Sequence, residues 1–245
     1  MEIFKDFFEE GGPWEFISRY GHVLSGVTWI GLLYFFNFVQ VPAYAQLSDA
    51  ARSEAMRGVS FRALWWFRYA ALLTFLFGVS IVAVKDQKTY FEGPSGTSIL
   101  TGILFGVTMF VNVWGVIWRN QKVVIGNAAA LAACSEADPA APAAAKRAAR
   151  ASRANTLFSI PMLWFMVFTS HLSGIFGSDV ANSPLYWLIV LATWAFIEAS
   201  ALGFIGGLDN SFNALAFDDH RRTIIGGFVY LVVLYFLGWE LILGG

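Results

Sequence analysis

Two of the three histidines in this sequence, His22 and His171, lie inside long apolar segments. Ionisable side chains are costly within a bilayer and usually serve a function there. If the first segment enters the membrane near Phe16 and the later one leaves it near Phe176, His22 lies roughly 9 Å and His171 roughly 7.5 Å from these helix ends, at a rise of about 1.5 Å per residue. We therefore expect both imidazoles at one depth, on different helices.

Two neutral imidazoles at a common depth are suited to bind the iron of a b-type haem from its opposite faces. Gly26 lies one turn from His22 and Trp29 lies a further turn inward, so the small residue would leave space for a flat ligand beside the imidazole. This pattern predicts a cofactor-binding site formed by His22, Gly26, Trp29 and His171, in which the two histidines are the metal ligands. The alternative is that each histidine only forms a hydrogen bond across the bundle.

Glu198 is the most clearly intramembrane carboxyl group of the sequence. Such a group must be protonated, paired or hydrated. One interpretation makes Glu198 a catalytic residue, in a proton path or at a substrate. The other is a structural hydrogen bond to Asn112, Asn37 or a backbone carbonyl on another helix.

Arg68 lies near one end of the second apolar segment, in the stretch LWWFRY. A basic side chain at this position either extends to the lipid headgroups or holds an anionic group such as a haem propionate. Extension to the headgroups is the commoner behaviour, and Arg68 is retained as a candidate cofactor-binding residue.

The elements that must position these side chains are transmembrane helices. Hydrophobic residues make up 57% of the 245 residues and charged residues only 13%, a composition outside the range of soluble globular domains. We therefore predict one all-α integral membrane domain over residues 1–245, a polytopic bundle of about six transmembrane helices. Apolar segments of the required length are found near residues 16–41, 64–84, 99–118, 157–176, 184–205 and 223–243.

Charge and cysteine content limit the chemistry further. The net charge of -1 provides no basic field for nucleic acid, which we exclude as a partner. The single cysteine, Cys134, excludes an internal disulfide and a cysteine zinc site, and the sequence has no Cys-x-x-Cys-His motif for a covalently attached haem. Any haem held by this chain is therefore expected to be non-covalent.

The Lys and Arg residues are distributed unevenly between the two sides of the predicted membrane. Twelve of the 16 lie in or near the first, third and fifth loops, and four lie on the other side. Because cytoplasmic loops accumulate Lys and Arg, we place these loops in the cytoplasm and both termini in the periplasm, for a multi-pass protein of a bacterial inner membrane.

An alanine-rich tract, residues 127–156, connects the third and fourth spans and is expected to extend as a helix out of the membrane on the cytoplasmic side. Four basic residues recur in it at helical spacing: Lys146, Arg147, Arg150 and Arg153. We interpret them as a solvated face near the lipid headgroups, and the alternative is a specific docking surface.

Four stretches of the sequence resemble, in the same order, the membrane domain of the bacterial cytochrome c-linked urate hydroxylases. They are GHVLSGVTWIGLLYFFNF, LWWFRYAALLTFLFGV, MFVNVWGVIWRNQKVVIG and RASRANTLFSIPMLWFMVFTSH. Residues that fall on the motif positions of that family are His22, Gly26, Trp29, Ile30, Gly31, Arg153, Asn155, Thr156, Pro161 and His171. The motif His-x-x-x-Gly-x-x-Trp-Ile-Gly alone also resembles membrane protoporphyrinogen oxidases and copper-resistance membrane proteins.

The resemblance implies a membrane oxidoreductase that oxidises a substrate and passes electrons to a periplasmic cytochrome c. The family carries this cytochrome as a fused C-terminal domain, whereas no haem c motif follows GWELILGG here. The cytochrome c is therefore expected to be a separate protein.

Our leading hypothesis is a membrane-embedded redox subunit that holds haem b through His22 and His171 and relays electrons to or from that cytochrome. A second hypothesis is a non-catalytic accessory subunit of a larger respiratory or photosynthetic membrane complex. A third is urate oxidation coupled to a separate cytochrome c. The lipid bilayer is a partner in all three.

Overall fold

A computed structural model describes residues 6–175 and 184–243 of the chain. Every regular element within these ranges is helical, so the predicted all-α class is confirmed. Phe176, the expected end of the fourth span, lies outside the described residues. We number the helices in chain order as α1 Pro13–Tyr44, α2 Asp49–Ala83, α3 Gly93–Ala132, α4 Ala141–His171, α5 Pro184–Ala201, α6 Ser211–Ala216, and α7, which begins as His220–Val232 and continues as Val233–Leu243.

Five of these helices, α1, α2, α3, α5 and α7, are long and apolar enough to cross a membrane, which indicates a multi-pass membrane protein. The helix α4 contains the further span expected near residues 157–176 but is not among the five. The reason is that α4 packs against α1, α3, α5 and α7 and buries the polar residues Asn155, Thr156 and Ser159 completely. A membrane crossing by α4, which would be the sixth of the bundle, stays a prediction. The side of the membrane on which the termini lie stays a prediction as well.

The two ends of the bundle differ in charge, and we name them by their residues. The basic end is formed by residues 44–61, 119–156 and 201–222, and the N-terminal end by residues 6–16 and 83–93. At the N-terminal end Lys85 lies 2.8 Å from Glu15 and 3.0 Å from Glu10, which ties the start of α1 to the end of α2. Burial lowers the pKa of Lys85. The hydrogen bonds and charges of Glu15 and Glu10 together outweigh this effect, so the pKa of Lys85 is raised.

A seam of small polar residues holds α1 against α2. Ser18 and Trp14 both contact the Ser80 hydroxyl, at 3.0 Å and 2.9 Å, and Thr74 donates a hydrogen bond to Ser25. Hydrogen bonds of this kind replace the hydrophobic effect, which does not drive helices together inside lipid.

The helices α3 and α4 form the longest hairpin of the bundle. They are joined by a turn at residues 133–140, so the alanine-rich tract expected as one helical extension is instead broken into two helices. Along the hairpin Gly102 of α3 faces Met166 of α4, and a Cβ atom at Gly102 would lie 3.2 Å from that side chain. The absent side chain of Gly102 therefore lets the two helices approach closely.

Close approach also governs the contact between α4 and α7. A Cβ atom at Gly227 would lie 2.5 Å from Ile160 Cδ1 and 3.0 Å from the backbone oxygen of Leu157. A Cβ atom at the preceding residue, Gly226, would make only an ordinary contact of 3.5 Å with Leu157. The two neighbouring glycines thus differ in how much space the fold allows them.

We predict that Gly227→Ala lowers the stability of the purified protein by about 1–3 kcal/mol, because the methyl group forces the α4 backbone away. Gly226→Ala is the matched control, and replacing a helical glycine by alanine there should be neutral or stabilising by up to about 1 kcal/mol. Thermal unfolding in detergent measures both variants. Equal midpoints for the two would contradict the close α4–α7 contact.

Candidate functional site

His22 lies on α1 at its contact with α2. Its Nδ1 atom lies 2.8 Å from the backbone oxygen of Thr74. The imidazole also packs against Gly78, where a Cβ atom would lie 3.2 Å from His22 Cε1. An Nδ1–H group that donates to this carbonyl fixes the tautomer and leaves Nε2 as the nitrogen able to bind a metal.

His171 is the last residue of α4, and its side chain is exposed. Its Nδ1 atom lies 3.1 Å from the backbone oxygen of Val167, one turn earlier in the same helix. The hydrogen-bonding arrangement therefore favours the same tautomer as in His22, with Nε2 free of a proton.

The register of α1 against α4 sets the relative depth of the two histidines. The hydroxyl groups of Tyr34 and Ser159 lie 2.9 Å apart and mark one level of these antiparallel helices. His22 and His171 each lie twelve residues from that contact, in the direction of the N-terminal end. Both histidines consequently lie about 18 Å from this contact along their helices, at one common level.

His22 and Gly26 lie on the face of α1 that contacts α2, and Trp29, a further turn along, is buried. A Cβ atom at Gly26 would lie 3.8 Å from Thr74 Cγ2, and Trp29 is only 3% exposed. An added Cβ atom at Gly26 would therefore make only an ordinary van der Waals contact, and the expectation that Gly26 leaves space for a flat ligand stays a prediction.

Glu198 joins a polar network between α3, α4 and α5. Asn112 Nδ2 donates to Glu198 Oε2 at 3.3 Å and to Asn155 Oδ1 at 2.9 Å. Asn155 Nδ2 in turn donates to the backbone oxygen of Met109 at 3.0 Å. This geometry matches the structural alternative for Glu198, a hydrogen bond to Asn112, while a catalytic role of Glu198 stays a prediction.

Arg68 is buried between α2 and α3, with only 7% of the residue exposed. Its guanidinium carbon lies 3.3 Å from the centroid of the Trp118 ring and 5.9 Å from that of Trp114. Its Nε and Nη1 atoms have no hydrogen-bond partner in the described part of the chain. The aromatic face of Trp118 therefore stabilises the charge of Arg68, which does not extend toward the surface.

At the basic end, α1, α2, α3 and α4, together with Phe217 and Asp218, line a cavity of about 420 Å³. Three irregular turns meet there, because α1 is π-helical over Phe35–Gln40, α2 over Met56–Ser60 and α3 over Asn112–Ile117. Turns of this type occur frequently at functional sites. All three contribute residues to the cavity wall: Phe36, Asn37, Gln40, Met56, Ser60 and Ile117.

Three basic side chains of α4, Lys146, Arg150 and Arg153, also line this cavity. Lys146 forms an ion pair with Asp209, and Arg150 Nη2 donates to Asp218 Oδ1 at 2.6 Å. The charges of Lys146 and Arg150 are thereby neutralised by neighbouring carboxylates.

Arg153 differs from the other two basic residues. It is 7% exposed, and its Nη1 atom is buried without a hydrogen-bond partner among the described residues. Burial lowers the pKa of the Arg153 guanidinium, and the exposed carboxylate of Asp219 partly offsets this effect from a distance. Because a guanidinium stays charged in proteins, the cavity retains one positive charge that no hydrogen-bonded carboxylate neutralises.

The prediction of a solvated basic face on α4 is wrong for Arg150 and Arg153, both of which are 7% exposed. The reason is that other elements cover this part of α4 on more than one side. Arg150 donates to the Asn213 backbone oxygen and to Asp218, and Ala148 and Ala151, on the opposite side of the helix, are fully buried as well. Arg147 is exposed, as expected.

The predicted site residues do not form one cluster. His22 and Gly26 lie at the contact of α1 with α2, and Trp29 is buried a turn further along α1. His171 ends α4 at the same level as His22, whereas Arg68 and Glu198 belong to other helix contacts. The described residues contain no group of three or more His, Cys, Asp or Glu side chains that could hold a metal ion. Sequence reasoning did not predict this cavity or the place of Asn37 and Gln40 in its wall. The helical spacing of Arg150 and Arg153 was the signal that could have indicated it.

Comparison with known families gives one match. Residues 87–202, just under half of the chain, match the model of the family described as "Urate oxidase N-terminal". The resemblance to this family is thereby confirmed over a range that includes Asn155, His171 and Glu198 but not His22, Gly26, Trp29 or Arg68. Neither the curated proteins nor the solved structures provide a match.

We predict that Asn155→Leu destabilises the protein by about 1–3 kcal/mol, since it leaves the Met109 carbonyl and the Asn112 amide without their buried partner. Asn120→Leu is the control, because Asn120 Nδ2 donates only to the Val116 carbonyl of its own helix, at 2.8 Å. Thermal unfolding of both variants in detergent makes the comparison. A loss at Asn155 no larger than that at Asn120 would mean that the network does not hold the helices together.

Proposed function

Because residues 87–202 match the urate oxidase N-terminal family and five helices are suited to cross a membrane, we propose that this chain is a membrane-embedded redox subunit of the urate hydroxylase type. It lies in a bacterial inner membrane, with both termini in the periplasm. It holds a b-type haem through His22 and His171, and it relays electrons to or from a separate periplasmic cytochrome c.

The observation that carries this proposal is the arrangement of the two imidazoles. Each has its Nδ1 atom within hydrogen-bond distance of a backbone oxygen, that of Thr74 for His22 and that of Val167 for His171. Histidines that bind metals commonly donate their second ring N–H to such a carbonyl, which orients the ring and makes the free nitrogen more basic. Both Nε2 atoms are thus prepared to act as ligands.

The common level of the two histidines supports the same proposal. Axial ligands must approach the iron from opposite faces, so they must come from different elements at one depth. The equal twelve-residue distances from the Tyr34–Ser159 contact support such an arrangement on α1 and α4. When bound, a b-type haem would supply one-electron transfer.

The position of the site near the N-terminal end suits a partner on the periplasmic side. In the proposed orientation, this end faces the periplasm, where a soluble cytochrome c would meet the protein. The described residues of this end include both acidic and basic side chains, among them Glu10 and Lys85, which pair with one another. A redox group near this surface would lie closer to the cytochrome than one at the basic end.

We predict that the purified protein has the absorption spectrum of a low-spin b-type haem, and that His22→Ala and His171→Ala each abolish the low-spin form, because each removes one axial ligand. His220→Ala is the control, since His220 begins α7 at the opposite end of the bundle. A pyridine haemochrome assay measures haem content, and size-exclusion chromatography verifies that each variant is folded. If wild-type protein purified under conditions that retain bound haem gives no haemochrome signal, the proposal is contradicted.

A further inference from the structure

The cavity at the basic end lies at the depth where the apolar spans end. Its wall includes Val41, the last residue of the first predicted span, Leu64, the first residue of the second, and Ile117, next to the last residue of the third. The phosphate groups of a bilayer lie just outside its hydrocarbon core. A cavity at this depth is therefore within reach of lipid headgroups.

The charged side chains of the wall leave an excess of positive charge. Lys146, Arg150 and Arg153 line the cavity, and among the described residues of the wall only Asp218 is acidic. Lys146 pairs with Asp209, and Arg150 donates to Asp218. These two ion pairs account for two of the three positive charges and leave that of Arg153.

Arg153 has a donor that the cavity leaves without an acceptor. The residue is more than nine-tenths buried, and its Nη1 atom has no hydrogen-bond partner in the part of the chain that the structure describes. A buried donor without a partner is costly, and a buried charged donor is more costly than a neutral one. A phosphate oxygen that enters the cavity would accept this hydrogen bond and neutralise the charge.

The cavity continues into an open groove on the surface of the bundle. Gln40, Val41 and Tyr44 line both spaces, and the groove, of about 440 Å³, extends from them to Arg52. The side chain of Val41 is apolar and the residue is 49% exposed. A molecule that leaves the cavity past Val41 therefore meets an apolar surface of α1 that lipid would contact.

Two side-chain amides in the wall can bind polar groups of a lipid headgroup. Asn37 Nδ2 donates to the Leu33 backbone oxygen at 2.9 Å and to Ser152 Oγ at 2.8 Å, and Gln40 Oε1 accepts from Ser60 Oγ at 3.1 Å. These bonds orient both amides. The other atom of each amide is suited to a headgroup hydroxyl, since Asn37 Oδ1 can accept a hydrogen bond and Gln40 Nε2 can donate one.

The apolar part of the wall favours a lipid over a dissolved inorganic ion. Phe36 and Phe67 are buried in this wall and meet edge to face, with ring centroids 5.5 Å apart. A free phosphate ion would lose its hydration against these rings and gain few partners. The headgroup of a lipid is already held at this depth by its acyl chains, and anionic lipids collect at basic pockets between transmembrane helices.

We propose that this cavity binds the headgroup of an anionic phospholipid, with Arg153 Nη1 bound to a phosphate oxygen and the acyl chains leaving past Val41 into the bilayer. The amides of Asn37 and Gln40 bind the headgroup hydroxyls of a lipid that has them. The site lies at a different depth from His22, and lipid binding is measured without haem or cytochrome c, so the lipid site and the redox role can fail separately.

A binding role for Arg153 has a consequence for stability that a structural role does not have. Because Nη1 of Arg153 lacks a partner, Arg153→Met removes a buried charge and should leave the unfolding midpoint of the lipid-free protein unchanged or raise it. The same substitution should weaken the binding of phosphatidylglycerol by about 10- to 100-fold, the usual cost of losing a hydrogen bond between charged groups. Arg147→Met is the matched control, because Arg147 is exposed on the same helix, and it should alter neither quantity.

A second variant blocks the cavity without changing its charge. Ala149 lines the cavity and is exposed, so it lies at the rim, and Ala149→Trp should obstruct the entry of a headgroup while the helix tolerates the larger side chain. Ala143→Trp is its control, because Ala143 is also exposed on α4 but is not part of the wall.

Native mass spectrometry of the delipidated protein, titrated with dioleoylphosphatidylglycerol or with zwitterionic dioleoylphosphatidylcholine, measures lipid binding by the wild type and the four variants. The proposal expects the wild type to bind phosphatidylglycerol more tightly, because the choline cation would lie among basic side chains. Both Arg153→Met and Ala149→Trp should weaken phosphatidylglycerol binding relative to their controls. Phosphatidylglycerol should also raise the unfolding midpoint of the wild type, since a ligand of the folded state stabilises it, and this rise should be smaller in Arg153→Met.

Two results would overturn the proposal. The first is phosphatidylglycerol binding that neither Arg153→Met nor Ala149→Trp weakens, or wild-type protein that binds phosphatidylcholine as tightly as phosphatidylglycerol. The second is inorganic phosphate that raises the wild-type unfolding midpoint as much as phosphatidylglycerol does and loses this effect in Arg153→Met, which would make the cavity a site for soluble anions. If Arg153→Met does not fold, the comparison of Ala149→Trp with Ala143→Trp decides the outcome.

Discussion

The helix α4 has protein on most of its sides, and this enclosure determines what its sequence can carry. Within a bilayer, a polar side chain is tolerated where it faces other helices and not lipid. Asn155, Thr156 and Ser159 are fully buried for this reason, and Asn155 reaches both a side chain and a backbone carbonyl of α3. The same enclosure fixes the register of α1 through the contact between Tyr34 and Ser159. Both the level of the histidines and the basic wall of the cavity therefore depend on how α4 is packed.

Sequence reasoning predicted the fold well because lipid imposes a simple requirement on exposed helices. Each of the five helices contains an apolar segment long enough to cross lipid, and hydropathy identified each of them. The criterion is weakest for α4, whose polar residues are sheltered by its neighbours. Hydropathy tests whether a helix is apolar enough to face lipid. It therefore describes poorly a helix that is enclosed by other helices.

The candidate sites were predicted less completely, and the basic residues of α4 illustrate the reason. The spacing of Arg150 and Arg153 gave their common face correctly, but not what that face contacts. An alanine-rich sequence does not distinguish a solvated helix from one packed closely against other helices. In the structure, Ala148, Ala151 and Ala154 are all completely buried. The π-helical turns around Asn37 and Asn112 left no pattern in the sequence either, since one additional residue in a turn changes the direction of a side chain without changing composition.

The cavity at the basic end and the two histidines lie at different depths of the bundle. Asn37 at the cavity and His22 lie fifteen residues apart on α1, which corresponds to about 22 Å along the helix. A ligand in the cavity therefore cannot touch a group bound at the level of His22. Trp29 and Tyr34 lie between the two levels on the same helix, and Trp29 is buried. The packing of α1 against α2 and α4 therefore places a buried aromatic segment of the bundle between the cavity and the level of the two histidines.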